Sequence, residues 1–267
     1  MSDSTQAGAG FDALVALIAR LRGPGGCPWD REQTHASLKS NAIEEAYELV
    51  EAIEAGDDAE IRGELGDLLL QVVFHAQIAS EQRRFDIGGV VAGVSDKMIR
   101  RHPHVFADAS AADSGQVLRN WEELKDRERP SDSMLDSVSR SLPATLEAFQ
   151  MTTKAARVGF DWPDAAGVLD KLDEEAAELR RAVGPPAAGA RQVEEEVGDL
   201  LFTAVNVARR LGVDPESALK AANRKFRTRF GHVERELLAR GRKPAGATLA
   251  EMEGLWQEAK AQEGRGR

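Results

Sequence analysis

Three observations predict an all-α fold. Ala, Leu, Glu, Arg and Lys, all good helix formers, dominate the 267 residues. Aromatic residues are few, nine Phe, four Trp and one Tyr. Alternating β-branched stretches are scarce, and apolar residues recur instead with helical spacing.

Taken in order, Phe11 to Arg22 reads as a first helix, with Leu14, Leu17, Ile18 and Leu21 at i, i+3, i+4 and i+7, stopped by Gly-Pro-Gly-Gly at 23–26. Asn41 to Ala55 forms a second, ended by Gly56, and Ala59 to Ser80 a third. Val90 to Arg101 forms a fourth that Pro103 closes, because a residue before proline leaves the helical region. Trp121 to Arg129 is a short fifth element. Polar and turn-forming residues from Arg129 to Ser133 then break the apolar pattern. The expected division is a first domain over 1–130, a linker over 131–142 and a second domain over 143–267.

Composition bounds the function. With 42% apolar and 30% charged residues the chain can build a core. Lys and Arg number 35 against 45 Asp and Glu, a formal charge of −10 that makes nucleic acid polymers and anionic membranes poor partners. Cys27 is the only cysteine, which excludes an internal disulfide framework and a Cys-rich zinc site. There is no signal-peptide pattern at the amino terminus and no membrane-length apolar run, so a soluble cytoplasmic protein is expected.

The chain repeats itself. Glu44-Glu45-Ala46-Tyr47-Glu48 returns as Glu174-Glu175-Ala176-Ala177-Glu178, an offset of 130, and Glu64-Leu65-Gly66-Asp67 as Glu196-Val197-Gly198-Asp199, an offset of 132. Lys97, Arg101 and His104 return as Lys225, Arg229 and His232 at 128, and Trp121 and Lys125 as Trp256 and Lys260 at 135. Shared composition would not keep order, spacing and the rarer Trp and His together, so the chain is read as a tandem duplication of one helical module.

Within each module the acids form a pair of pairs: Glu45 with Glu48 and Glu64 with Asp67, then Glu175 with Glu178 and Glu196 with Asp199. Spacing of i, i+3 puts both members of a pair on one helix face. The helices carrying Glu64 and Glu196 are apolar around most of their circumference. Their polar residues fall on narrow stripes, Glu64, Asp67, Gln71 and His75 in one and Glu196, Asp199, Thr203 and Asn206 in the other. Such a helix is expected to be buried, and buried carboxylates must be neutralised. A hard divalent cation taking oxygen ligands does this, and a carboxylate shell without cysteine points to magnesium or manganese. A solvated acidic face, the natural reading of Glu51, Glu54 and Glu194, is the plain alternative. A di-iron bundle ranks lower, since it needs Glu-x-x-His pairs that the acidic helices do not carry.

Downstream, Lys225 with Arg229 and Trp256 with Lys260 stand at i, i+4. Cations beside a metal cluster suit a polyphosphate, and an indole can stack on a base. His102-Pro103-His104 reads as a turn rather than a metal pair, Cys27 as an ordinary thiol, and no Walker loop or dinucleotide fingerprint is present.

The twice-present Glu-Glu-x-x-Glu and Glu-x-x-Asp patterns are joined by four further blocks: Gly26-Cys27-Pro28-Trp29-Asp30, Arg101-His102-Pro103-His104-Val105-Phe106, Val158-Gly159-Phe160-Asp161-Trp162 and Gly198-Asp199-Leu200-Leu201-Phe202. Together they closely resemble the MazG family of two-domain nucleoside triphosphate pyrophosphohydrolases over nearly the whole chain. The resemblance implies all-α modules of four-helix-bundle type, usually completed by homodimerisation. It implies magnesium-dependent hydrolysis of NTP or dNTP to the monophosphate and pyrophosphate with broad base tolerance, manganese being a possible substitute. The implied roles are nucleotide-pool housekeeping or control of a signalling nucleotide. It assigns Glu175, Glu178, Glu196 and Asp199 as metal ligands, and Lys171, Glu174, Glu195, Lys225, Arg229, Trp256 and Lys260 to nucleotide contact. The carboxy-terminal domain is the main catalyst expected. The amino-terminal set of Glu45, Glu48, Glu64 and Asp67 is nonetheless intact. One acid, from among Glu174, Glu175, Glu195 and Glu196, is expected to orient the attacking water. The rival reading is a non-catalytic helical regulator that binds a nucleotide or a protein partner.

Overall fold

The computed structural model describes residues 3–107, 109–128, 133–184 and 189–265. All regular structure among them is helical. Residues 129–132, where the boundary between domains was expected to begin, lie outside the described set. The chain divides into two compact units, Met1–Lys125 and Asp126–Arg267.

The first unit holds α1 (Asp3–Arg22), α2 (Pro28–Glu32), α3 (Lys39–Ala55), α4 (Asp58–Glu81), α5 (Ile87–Arg101), α6 (Pro103–Phe106) and most of α7 (Ser114–Glu128). α4 packs against α3 and, less extensively, against α1. Gly56 lets α3 turn sharply into α4: its φ of 71° is left-handed, and its N–H bonds the carbonyl of Ala52 at 3.0 Å. Asp57 then caps α4 by accepting from the amides of Ala59 and Glu60. Ile18, Leu38, Val73, Phe74 and Ile78 form the buried core, each contributing roughly 1.5–3 kcal/mol.

The second unit holds α8 (Ala144–Arg157), α9 (Ala165–Val183), α10 (Ala190–Arg210), α11 (Pro215–Ala239) and α12 (Leu249–Arg265). α9 packs along α10 as α3 does along α4, α8 lies against α10, and α12 packs on α11 through Val233, Leu237 and Leu255. The repeat extends to the helix caps. Asp86 caps α5 through the Gly89 amide at 2.9 Å and Asp214 caps α11 through the Ser217 amide at 2.7 Å, again 128 residues apart.

Several elements exceed their expected limits. α1 starts at Asp3 rather than Phe11, because the small and polar residues ahead of Phe11 join the helix without adding apolar periodicity. α7 starts at Ser114 rather than Trp121, with the Asp113 carboxylate accepting from the Gln116 amide at 2.8 Å. α2, begun by Pro28 at its first position, was not expected.

Candidate metal and nucleotide site

In each unit two packed helices bring the paired acids together. One ligand oxygen from each of Glu45, Glu48 and Glu64 lies within 4.8 Å of the others, and the same holds for Glu175, Glu196 and Asp199. Asp67 belongs electrostatically to the first set: burial and then the charge of Asp67, followed by Glu48, Glu64 and Glu44, hold the Glu45 carboxyl above its ordinary range. Burial, then Glu48 and Asp67, does the same to Glu64. Glu178 is the one acid of the second set outside its three-residue cluster, and it accepts from Arg181 at 3.0 Å.

The burial expected of these acids is corrected by the structure. Only Glu175 is buried, at 4% exposure; Glu45 and Glu64 are half-buried, and Glu48, Asp67 and Asp199 are exposed. The acid-bearing halves of α4 and α10 leave their apolar residues uncovered, with Leu65 51% and Leu201 63% exposed. The polar stripe enters the core one turn further on, where Gln71, Thr203 and Asn206 are buried. Mutual proximity, together with the partial burial of Glu45 and Glu64, makes these acids need a counter-ion. Glu175 is the most enclosed of them, its Oε2 buried without a hydrogen-bond partner.

A cation from the chain already reaches the second cluster. Lys171, one turn before Glu175 on α9, places its ammonium 2.7 Å from Glu175 and 2.9 Å from Glu174. Those two carboxylates, Glu175 foremost, hold the lysine above its usual range. Glu195 lies outside the three-residue cluster; it is exposed and paired with Arg191 at 3.1 Å.

The downstream cations and indole meet one another rather than the acids. Arg229 forks onto Glu263, with the closest contact at 2.7 Å, and lies 5.7 Å from the Trp256 ring, which also meets Phe226 at 5.2 Å. The first unit repeats this, with Arg101 5.2 Å from the Trp121 ring. Lys225 and Lys260 are exposed on α11 and α12. His102 and His104 stand where α5 turns into α6, and His102 Nδ1 is 2.7 Å from the Met98 carbonyl oxygen. That is the turn expected of this segment.

Three polar features of the fold were not legible in the sequence. His35 pairs with His75, their Nδ1 atoms 2.7 Å apart. Asp161 is gripped by Arg209 at 2.5 Å and Arg210 at 3.4 Å, which pins the loop ahead of α9 to the end of α10. Lys154 of α8 is buried. Asp161 lies inside a block already singled out, but nothing in its spacing pointed to arginines 48 residues later. Glu32 and His35 form a Glu-x-x-His spacing overlooked in the sequence; His35 falls beyond the end of α2, so the spacing does not make a helical ligand pair.

Two copies of an all-helical module, each gathering carboxylates from an antiparallel helix pair, define a carboxylate-cluster protein without a phosphate loop. The MazG nucleotide pyrophosphohydrolase domain matches residues 33–106 and 165–234, which are the segments that carry the two clusters. The chain is 48% identical over 257 residues to the nucleoside triphosphate pyrophosphohydrolase of Escherichia coli K12, covering 95% of this chain and 98% of that protein. It is 44% identical to the nucleoside triphosphate pyrophosphohydrolase/pyrophosphatase MazG of Thermotoga maritima, covering 96% and 97% respectively. To the uncharacterized protein YabN of Bacillus subtilis it is 46% identical, over 96% of this chain and 52% of that protein. The chain belongs to the MazG nucleotide pyrophosphohydrolase family and is a hydrolase of that kind.

Proposed function

We propose that the protein hydrolyses nucleoside and deoxynucleoside triphosphates to the monophosphate and pyrophosphate with magnesium, or manganese in its place. The observation that carries this reading is the second acid cluster, where Glu175, Glu196 and Asp199 converge and a buried carboxylate oxygen stands without a partner. An all-oxygen donor set fits a hard divalent ion. Glu175, Glu196 and Asp199 would hold it, with Glu178 at the edge; Glu45, Glu48, Glu64 and Asp67 are the equivalent set in the first unit. A bound ion supplies charge neutralisation of the triphosphate and acidifies water.

The remaining work falls to the chain. Glu174, held beside Glu175 through their shared lysine, and Glu195, in an exposed pair with Arg191, are the neighbouring acids that would orient water and take its proton. The water oxygen adds to one phosphorus of the α–β anhydride and the bridging P–O bond breaks, releasing monophosphate and pyrophosphate. Lys171, Lys225, Arg229 and Lys260 supply positive charge for the phosphates, and Trp256 a ring face that every base can use, which supports broad base tolerance.

Homodimerisation is part of the proposal and is supported by the uncovered apolar residues beside both clusters. The proposed domains are 1–130 and 143–267 joined by 131–142. No helix among the described residues is long and apolar enough to cross a membrane. The single cysteine agrees with a cytoplasmic place, where nucleotide-pool housekeeping or removal of a signalling nucleotide would occur.

Product analysis tests the reading directly. Purified protein with mixed NTPs should give monophosphate and pyrophosphate with magnesium and neither in EDTA. Nucleotide binding that ignores chelator and yields no product would replace the enzyme by a non-catalytic regulator.

A further inference from the structure

The two clusters share their acids but not their surroundings. At the offset that matches Glu45 to Glu175, Lys171 corresponds to Asn41, a neutral residue. In the second unit the ammonium of Lys171 sits 2.7 Å from Glu175 and 2.9 Å from Glu174. It engages Glu175 through Oε1 and leaves the buried Oε2 without a partner. A lysine head is a compact charge on a flexible four-carbon stem, and the Lys171 side chain is 34% exposed, so it has room to leave.

We propose that Lys171 is a tethered stand-in for the divalent cation: it holds Glu175 in the unloaded enzyme, is displaced when the ion enters, and turns to the substrate phosphates that arrive with it. This rests on the reading of the acid clusters as metal sites. A monovalent cation built into α9 neutralises part of the cluster's charge, and an entering ion has to give up that attraction. The first unit has Asn41 at this position and sets no such competition, so it takes the ion more readily without substrate. Release of the ammonium also couples the two ligands. A triphosphate gives the freed lysine a new anionic partner and so tightens the ion at the second cluster, and by linkage the ion tightens the triphosphate. The asymmetry therefore assigns metal loading that depends on substrate to the second unit and loading that does not to the first.

The test is Mn2+ titration of the full-length protein, read by electron paramagnetic resonance and calorimetry. The second cluster is isolated with Glu45→Gln and Glu64→Gln. In that background Lys171→Met should tighten Mn2+ by about tenfold, the loss of one close ion pair as a competitor, and reduce the further tightening that a non-hydrolysable triphosphate gives to what the ion and the remaining cations supply. Lys171→Arg should keep the weaker affinity. Conversely, with Glu175→Gln and Glu196→Gln silencing the second cluster, Asn41→Lys should weaken Mn2+ at the first. Equal or weaker Mn2+ binding in Lys171→Met overturns the inference while leaving the metal sites standing. Absence of Mn2+ binding from both isolated clusters overturns the metal reading and this inference together.

Discussion

His35 and His75 show how a single residue pair can be fixed by elimination. Arginine only donates, so the Arg84 guanidinium on His35 Nε2 makes that nitrogen an acceptor. A neutral His35 then carries its proton on Nδ1 and donates it across 2.7 Å to His75 Nδ1, which makes His75 an acceptor there. The two rings lie nearly parallel, 5.0 Å apart between centroids. Burial, then the repulsion that a protonated His35 would add, depresses the His75 pKa below its ordinary value of 6.5. Above that value folded and unfolded chains are both neutral at this site, and the pair stabilises fully. As pH falls below it, the unfolded chain takes up a proton that the folded one refuses, so stability drops until the folded value is passed. Arg84 stands beside His35, and at the end of α4 the Arg22 guanidinium holds the Glu81 carboxyl below its ordinary range. Glu45 and Glu64, with raised values, act in the opposite direction at lower pH. The urea midpoint of the first unit should therefore decline from pH 7.5 to 5.5 in the parent and stay flatter in His75→Gln; parallel slopes would contradict the assignment. His75 was legible as part of a polar stripe. His35 was not, because the two lie 40 residues apart and no spacing rule joins a loop histidine to a helix.

Helix by helix, periodicity gave the α3–α4 and α9–α10 pairs and put the acids on them, because i, i+3 spacing survives any change in helix ends. It could not say what covers those helices. Leu65, Leu69 and Val72 on α4, and Val197, Leu201 and Phe202 on α10, satisfy the pattern of a buried helix while remaining exposed in this chain. A groove of about 510 Å³ between α9 and α10, lined by Leu179, Val183, Val193, Val197 and Leu200, continues this uncovered surface. An apolar periodicity records that a face is covered in the working assembly and is silent on which molecule covers it. If a second copy does, Leu201→Glu places a charge in that interface, and the parent's dimer mass in analytical ultracentrifugation should fall to the 29.0 kDa of one chain. A parent that already sediments as a monomer would remove dimerisation from the account.

For the whole molecule, the tandem duplication was the most legible feature, since matched blocks in the same order outweigh any single motif. The structure repeats not only the acids but also the Asp86 and Asp214 caps and the Arg–Trp contacts of Arg101 with Trp121 and Arg229 with Trp256. What the repeat conceals is divergence. Asn41-Ala42-Ile43 stands against Lys171-Leu172-Asp173, and Arg62-Gly63 against Glu194-Glu195, immediately ahead of the matched acids. They change the charge around a cluster without changing its acids. Family membership fixes the class of reaction, whereas the proposed division of metal loading between the two units rests on the difference between Asn41 and Lys171.

The central claim is that the clustered carboxylates carry the chemistry. It is tested most directly by measuring pyrophosphate release from Glu196→Ala, Glu64→Ala and the double variant, with folding checked by circular dichroism. We predict that Glu196→Ala loses at least about a hundredfold in turnover, that any residual activity disappears in the double variant, and that all three retain their helical signal. Parent-level pyrophosphate release from a folded double variant would contradict the account.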